Sequence, residues 1–177
     1  MRLFHVSEEP GIQVFHPRPP TRSDLDPGVG LVWAIDWQRL PNFITPRNCP
    51  RVTYHAGPRT TQEDRQRFFS SPEVCHGVVI EHGWFEAMRN TILYVYEFAP
   101  EEFVLQDPAA GYYVATTTQR PIACRQVKDL LGELVSRGVE LRVTASLWQL
   151  AEQVQASTLV WSLCRMGYAR PKSENSK

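Results

Sequence analysis

The chain has 177 residues, 42% of them hydrophobic, enough for one well-filled core and short for two, so a single domain is expected over residues 1–170 with a disordered polar tail at 171–177. Lys plus Arg number 19, as do Asp plus Glu, giving a formal net charge of +0, and no whole-molecule field draws the protein to nucleic acid or an anionic membrane. No run reaches the roughly 20 apolar residues of a membrane helix, no charged-then-apolar leader opens the chain, and the four cysteines form no C-x-x-C pair, so a cytoplasmic protein with reduced thiols is expected.

Prolines from Pro10 to Pro58 break the N-terminal part into short strands and ordered loops. Apolar and β-branched runs predict strands at Arg2 to Val6, Val29 to Ile35 and Val52 to His55, read as neighbours in one sheet. Thr60 or Thr61 caps a polar helix running to Phe69. A β-rich run from Val74 to Glu81, a helical turn around Trp84 to Arg89, and a strand from Ile92 to Phe98 follow. Tyr112 to Thr116 and Ile122 to Val127 read as a hairpin or adjacent strands.

Leu130, Leu131, Leu134 and Val135 fall at helical spacing and Gly138 stops the helix. Val139 to Val143 supplies a strand. Ser146 with Gln149 fits a capping box for a last helix, whose face is marked by Leu147, Leu150, Ala151, Val154, Thr158 and Trp161. The class is α+β: a mixed or antiparallel sheet with short helices and a C-terminal helix.

The common phosphate-loop, dinucleotide, zinc-protease and serine-hydrolase motifs are missing. What stands out is Leu3-Phe4-His5-Val6-Ser7. Period-two alternation puts His5 and Ser7 on one face of a strand and Phe4 and Val6 on the other. An imidazole beside a hydroxyl can grip a sugar, since the ring donates or accepts and the serine does both. The bland alternative is a histidine hydrogen-bonded in the core or at a sheet end.

Together with Glu8-Glu9-Pro10, Phe15-His16-Pro17-Arg18-Pro19, Val32-Trp33-Ala34-Ile35-Asp36 and Pro46-Arg47-Asn48-Cys49-Pro50, the opening segment resembles a small bacterial family of uncharacterised proteins. That resemblance covers nearly the whole chain and implies no activity. A second resemblance is to the ADP-ribosyltransferase-like superfamily, whose first strand supplies a histidine that holds the nicotinamide ribose of NAD. His5 and Ser7 match that strand. Trp33 stands where the superfamily has a stacking aromatic, and Tyr113 falls in the last motif.

The superfamily's glutamate near that last motif has no counterpart at Gly111-Tyr112-Tyr113. Asp107 is the candidate replacement, with Glu81 and Glu97 as further carboxylates. The implied reaction is displacement at the ribose anomeric carbon, as ADP-ribosyl or phosphate transfer, with NAD as substrate.

Arg18, Arg47 and Arg51 sit in proline-bracketed loops and can fork onto phosphate. Cys75 and His76 are sequential and no ligand pair has zinc spacing, so no metal is expected. Cys49 reads as a buried inert thiol, with a nucleophile of lowered pKa as the alternative. The expected site is a cleft with His5 and Asp107 as catalytic groups and Ser7, Trp33, Arg47, Arg51 and Tyr113 as ligand contacts. It would take a small nucleotide-like ligand, or at most an RNA end. The alternative is a non-catalytic small-ligand or protein-binding module.

Overall fold

A computed structural model describes residues 1–20 and 25–172. The tail expected to be disordered lies, from residue 173 on, outside the described residues. In chain order the strands are β1 (Leu3–Ser7), β2 (Val32–Asp36), β3 (Arg51–His55), β4 (His76–Glu81), β5 (Leu93–Phe98), β6 (Val104–Asp107), β7 (Tyr112–Ala115), β8 (Ala123–Val127), β9 (Glu140–Thr144) and β10 (Val160–Cys164). The helices are α1 (Gln62–Phe68), α2 (Phe85–Asn90), α3 (Leu130–Ser136) and α4 (Trp148–Gln155). The fold is α+β, and its strands form two sheets in two compact units.

The first unit comprises Met1–Phe43 and Ile92–Lys128. Its six strands run in the order β6-β7-β2-β1-β5-β8, and every neighbouring pair is antiparallel. β1 is central: Leu3, His5 and Ser7 register with Phe98, Tyr96 and Tyr94 of β5. On that face Leu3, Val32, Ala34, Phe98, Phe103 and Ala115 form a buried core with Phe15 and Tyr113 packed against it. The segment before β2 returns over this face. Phe15 exchanges backbone hydrogen bonds with Gln119 at 2.8 and 2.9 Å, and Arg18 does the same with Leu31.

β7 and β8 are not neighbours, because β2, β1 and β5 stand between them. Their turn signals mark chain reversals, and each strand finds its ladder with an earlier one. β6 forms an edge and leaves Val104 and Leu105 exposed; lacking an alternating core face, it carries no sequence signal.

The second unit comprises Ile44–Thr91 and the chain from Asp129 on. Its sheet has the order β10-β3-β4-β9, with β4 and β9 parallel and the other pairs antiparallel. β4 is buried along its whole length, as a strand covered on both faces must be. Val52, Tyr54 and Val79 pack with Phe68 and Phe69, and with Leu147, Ala151 and Val154. β3 therefore belongs to this sheet and is not a neighbour of β1 and β2.

Thr61 caps α1 by accepting from Asp64 N at 3.2 Å. Asp129 caps α3 by accepting from Gly132 N at 2.9 Å, and Gly138 follows at φ 68°, where a side chain would be strained. α4 departs from expectation at both ends. Its N-cap is Leu147, whose amide goes to the buried Glu81 carboxylate, while Ser146 Oγ accepts from Trp148 N at 3.5 Å in place of the expected box with Gln149. The helix stops at Gln155, and Trp161 lies on β10. The ladder with β3 claims the β-branched end of a segment that helical spacing also fits. Among the described residues no helix is long and apolar enough to cross a membrane.

Candidate functional site

His5 sits at the middle of β1, and its ring nitrogen Nδ1 lies 3.0 Å from the backbone oxygen of Trp33. A carbonyl only accepts, so Nδ1 carries the hydrogen and Nε2 offers a lone pair in the neutral ring. Burial is the main reason the imidazole pKa lies below its ordinary value. The Trp33 carbonyl opposes that shift, and the charge of Arg18 adds to it. The ring packs 5.0 Å from Phe15, which in turn contacts Tyr96 and Phe98 edge-on at 5.2 and 5.0 Å. Tyr96 is fully buried. Its hydroxyl donates to Glu9 O at 2.7 Å and accepts from Ile12 N at 3.1 Å, pinning the segment beside His5. Among the described residues Nε2 makes no hydrogen bond.

Ser7 shares His5's face, as alternation requires, and its Oγ accepts from Glu9 N at 3.0 Å. Tyr113 is on the same face: it registers with Ala34 and packs against the core that Phe15 joins. Trp33 is not. Phe4 registers with Ile35, so Trp33, two residues from Ile35, projects with Phe4, away from His5. Its ring meets Tyr112 at 5.4 Å, and Tyr112 meets Phe43 at 5.8 Å. The expected stacking partner of a His5-bound ligand is thus turned to the other side by the pleat. Only its carbonyl reaches the histidine.

The carboxylates have structural work. Asp107 registers with Tyr112, on Trp33's side, and its Oδ1 accepts from Ala109 N at 3.0 Å and Ala110 N at 3.1 Å, closing the turn into β7. That register sets it on the face opposite His5. Glu97 takes both ends of the Arg2 guanidinium at 2.8 Å. Glu81, in the second unit, accepts from the backbone amides of Leu147 and Arg170.

Arg47 and Arg51 also belong to the second unit and differ from each other. Arg47 is exposed in the turn closed by Cys49 N and Pro46 O, with Asn48 at φ 65°. Arg51 is buried on β3 and donates to Cys49 O at 2.9 Å. Burial pushes the Cys49 thiol up to about 12, with Arg51 opposing and Glu81 adding to the rise. A thiol so shifted is protonated and inert, contrary to a nucleophile of lowered pKa. His55 and His76 are cross-strand partners with ring centroids 5.7 Å apart, but among the described residues no three metal-ligating side chains converge.

Two hollows lie elsewhere. One of about 290 Å³ is lined by Arg59, Ser157, Thr158 and Leu159; the other, of about 130 Å³, by Arg2, Phe4, Glu97 and Arg125 among others. The contacts that sequence reasoning missed around His5 are Phe15 and Tyr96. Phe15's only local signal is the rigid run Phe15-His16-Pro17-Arg18-Pro19 that brings it and Arg18 back over the sheet.

No curated protein and no solved structure matches this chain. A family model matches residues 4–169, through both units and every strand but the first residue of β1, and on that match the chain belongs to the Family of unknown function (DUF6886).

Proposed function

We propose that the first unit binds a nucleotide-like ligand, carrying both a hydroxyl and a phosphate, against the His5 face, and that it binds without transferring a group. The observation that carries this reading is the tautomer of His5: Nδ1–H is spent on Trp33 O, which leaves Nε2 as a fixed acceptor for a ligand hydroxyl, with the positive charge of Arg18 close enough to act on the same ring. A hydroxyl acceptor and a cation whose charge acts on the same ring suit a sugar phosphate. The resemblance of Leu3 to Ser7 to the ribose-holding strand of ADP-ribosyltransferase-like proteins supports NAD or ADP-ribose as the first ligands to try. Binding is favoured over transfer because Asp107, the carboxylate nearest in sequence to the last motif, is held by two backbone amides of its own turn and is not available to orient a nucleophile.

Calorimetric titration with NAD, ADP-ribose and AMP tests the reading. Substituting His5→Asn separates site from scaffold, because the amide nitrogen of asparagine stands where Nδ1 stands and can still donate to Trp33 O while the Nε2 acceptor is gone. The expected result is binding by the wild type and about tenfold weaker binding by His5→Asn, the worth of one hydrogen bond in a site, at unchanged melting temperature. Arg18→Gln should weaken phosphorylated ligands and spare unphosphorylated adenosine. Folded wild-type protein that binds none of the three ligands overturns the reading.

A further inference from the structure

Beside His5 the strand register lines up three polar side chains that sequence reasoning did not single out as a group. Ser7 of β1 registers with Tyr94 of β5, and Tyr94 with Gln126 of β8. Registered residues in antiparallel strands share a face, so this row lies on the His5 side, about 7 Å along β1 from His5 and with about 5 Å between neighbours. Ser7 and Tyr94 are partly buried and Gln126 is exposed.

The hydrogen bonding in the row is directional. Ser7 Oγ accepts from Glu9 N at 3.0 Å, and the Tyr94 hydroxyl oxygen accepts from Gln126 Nε2 at 2.9 Å. Each hydroxyl therefore has its oxygen engaged, and among the described residues no acceptor takes its hydrogen. With Nε2 of His5 accepting, the surface offers two donors and one acceptor. A phosphate, which has acceptors only at its oxygens, satisfies the donors and leaves Nε2 bare. An apolar group satisfies none of the three. Adjacent hydroxyls on one sugar ring, each able to donate and accept, satisfy all three.

We infer that Tyr94, held by Gln126 and working with Ser7 and His5, is the residue that selects a ribose with both ring hydroxyls over a deoxyribose. This inference rests on the nucleotide reading of the His5 face given above. Discrimination of this kind is strong where a site hydrogen-bonds a hydroxyl, because its absence strands the site's own polar groups.

The test compares AMP with its 2′-deoxy and 3′-deoxy counterparts by calorimetry, on wild type and Tyr94→Phe, with ADP-ribose as a second probe. Tyr94→Phe keeps the ring and removes only the hydroxyl. The wild type is expected to bind AMP about tenfold more tightly than at least one deoxy form, and Tyr94→Phe to lose that preference at unchanged melting temperature. Gln126→Ala should reduce the preference partway, since it frees the Tyr94 hydroxyl to turn. Equal binding of all three nucleotides by the wild type, or a preference that survives Tyr94→Phe, overturns the role of Tyr94 and leaves the His5 reading standing. Failure of NAD, AMP and ADP-ribose alike to bind folded protein overturns both.

Discussion

His5 is held neutral by its surroundings, and that neutrality has a sign when converted into stability. Its pKa in the fold lies below the ordinary 6.5, chiefly through burial. Between the folded and unfolded values the unfolded chain carries a proton that the folded chain does not. The stability this residue contributes is therefore complete above about pH 6.5 and is lost as the pH falls from there toward the folded value. Ligand binding that uses Nε2 as an acceptor falls at lower pH, as the pH drops through the folded value, because only there does the folded ring take up the proton that leaves it nothing to accept with. Melting curves from about pH 8 down to about pH 5 should show the wild type losing more stability than His5→Asn. Parallel curves would remove His5 from the account.

Single strands are held to single partners by contacts that leave little room. In the second unit Gly77 of β4 registers with Tyr54 of β3, and a methyl group on Gly77 would come within 2.6 Å of the Tyr54 ring. That ring is fully buried, and its hydroxyl donates to Phe68 O at 3.2 Å. Gly77→Ala should accordingly cost about 1–3 kcal/mol, the usual penalty of overpacking a core, seen as a lower urea midpoint at unchanged slope. A neutral result would mean that the ring can move aside without losing its bond.

Elements with local signals were legible in the sequence. α1 carries its own capping residue, Thr61, α3 its leucines at helical spacing with Gly138 as the stop, and β5 alternates buried and less buried residues along most of its length. Elements defined by a distant partner were not. β10 fits a helix until β3 is known to lie beside it, and β6 exists only because β7 is there to receive it. The site divides the same way. That His5 and Ser7 share a face follows from period two within one strand. That Trp33 faces away, and that Tyr94 faces in, depends on registers that no local pattern states.

At the level of the whole molecule, the chain visits each unit twice: the first unit is assembled from residues 1–43 and 92–128, the second from 44–91 and 129 on. Neither is a continuous stretch, and a cut near residue 91 strips both at once. It removes β5 to β8 from the six-stranded sheet and β9 and β10 from the four-stranded one, together with α3 and α4. A fragment of residues 1–91 should have no cooperative melting transition and should be digested quickly by protease, because the edges it exposes have lost their ladders. A sharp transition in that fragment would show that one unit can form without its second stretch.

The same threading bears on synthesis. Arg2 and Glu97, which grip each other in the finished sheet, are 95 positions apart in sequence, so at ordinary translation speeds β1 leaves the ribosome about 5–20 s before β5 exists to pair with it. For that interval β1 has only β2 to pair with, over Leu3–Asp36 and Phe4–Ile35, and the longer ladder that joins Leu3 through Ser7 to β5 is still missing.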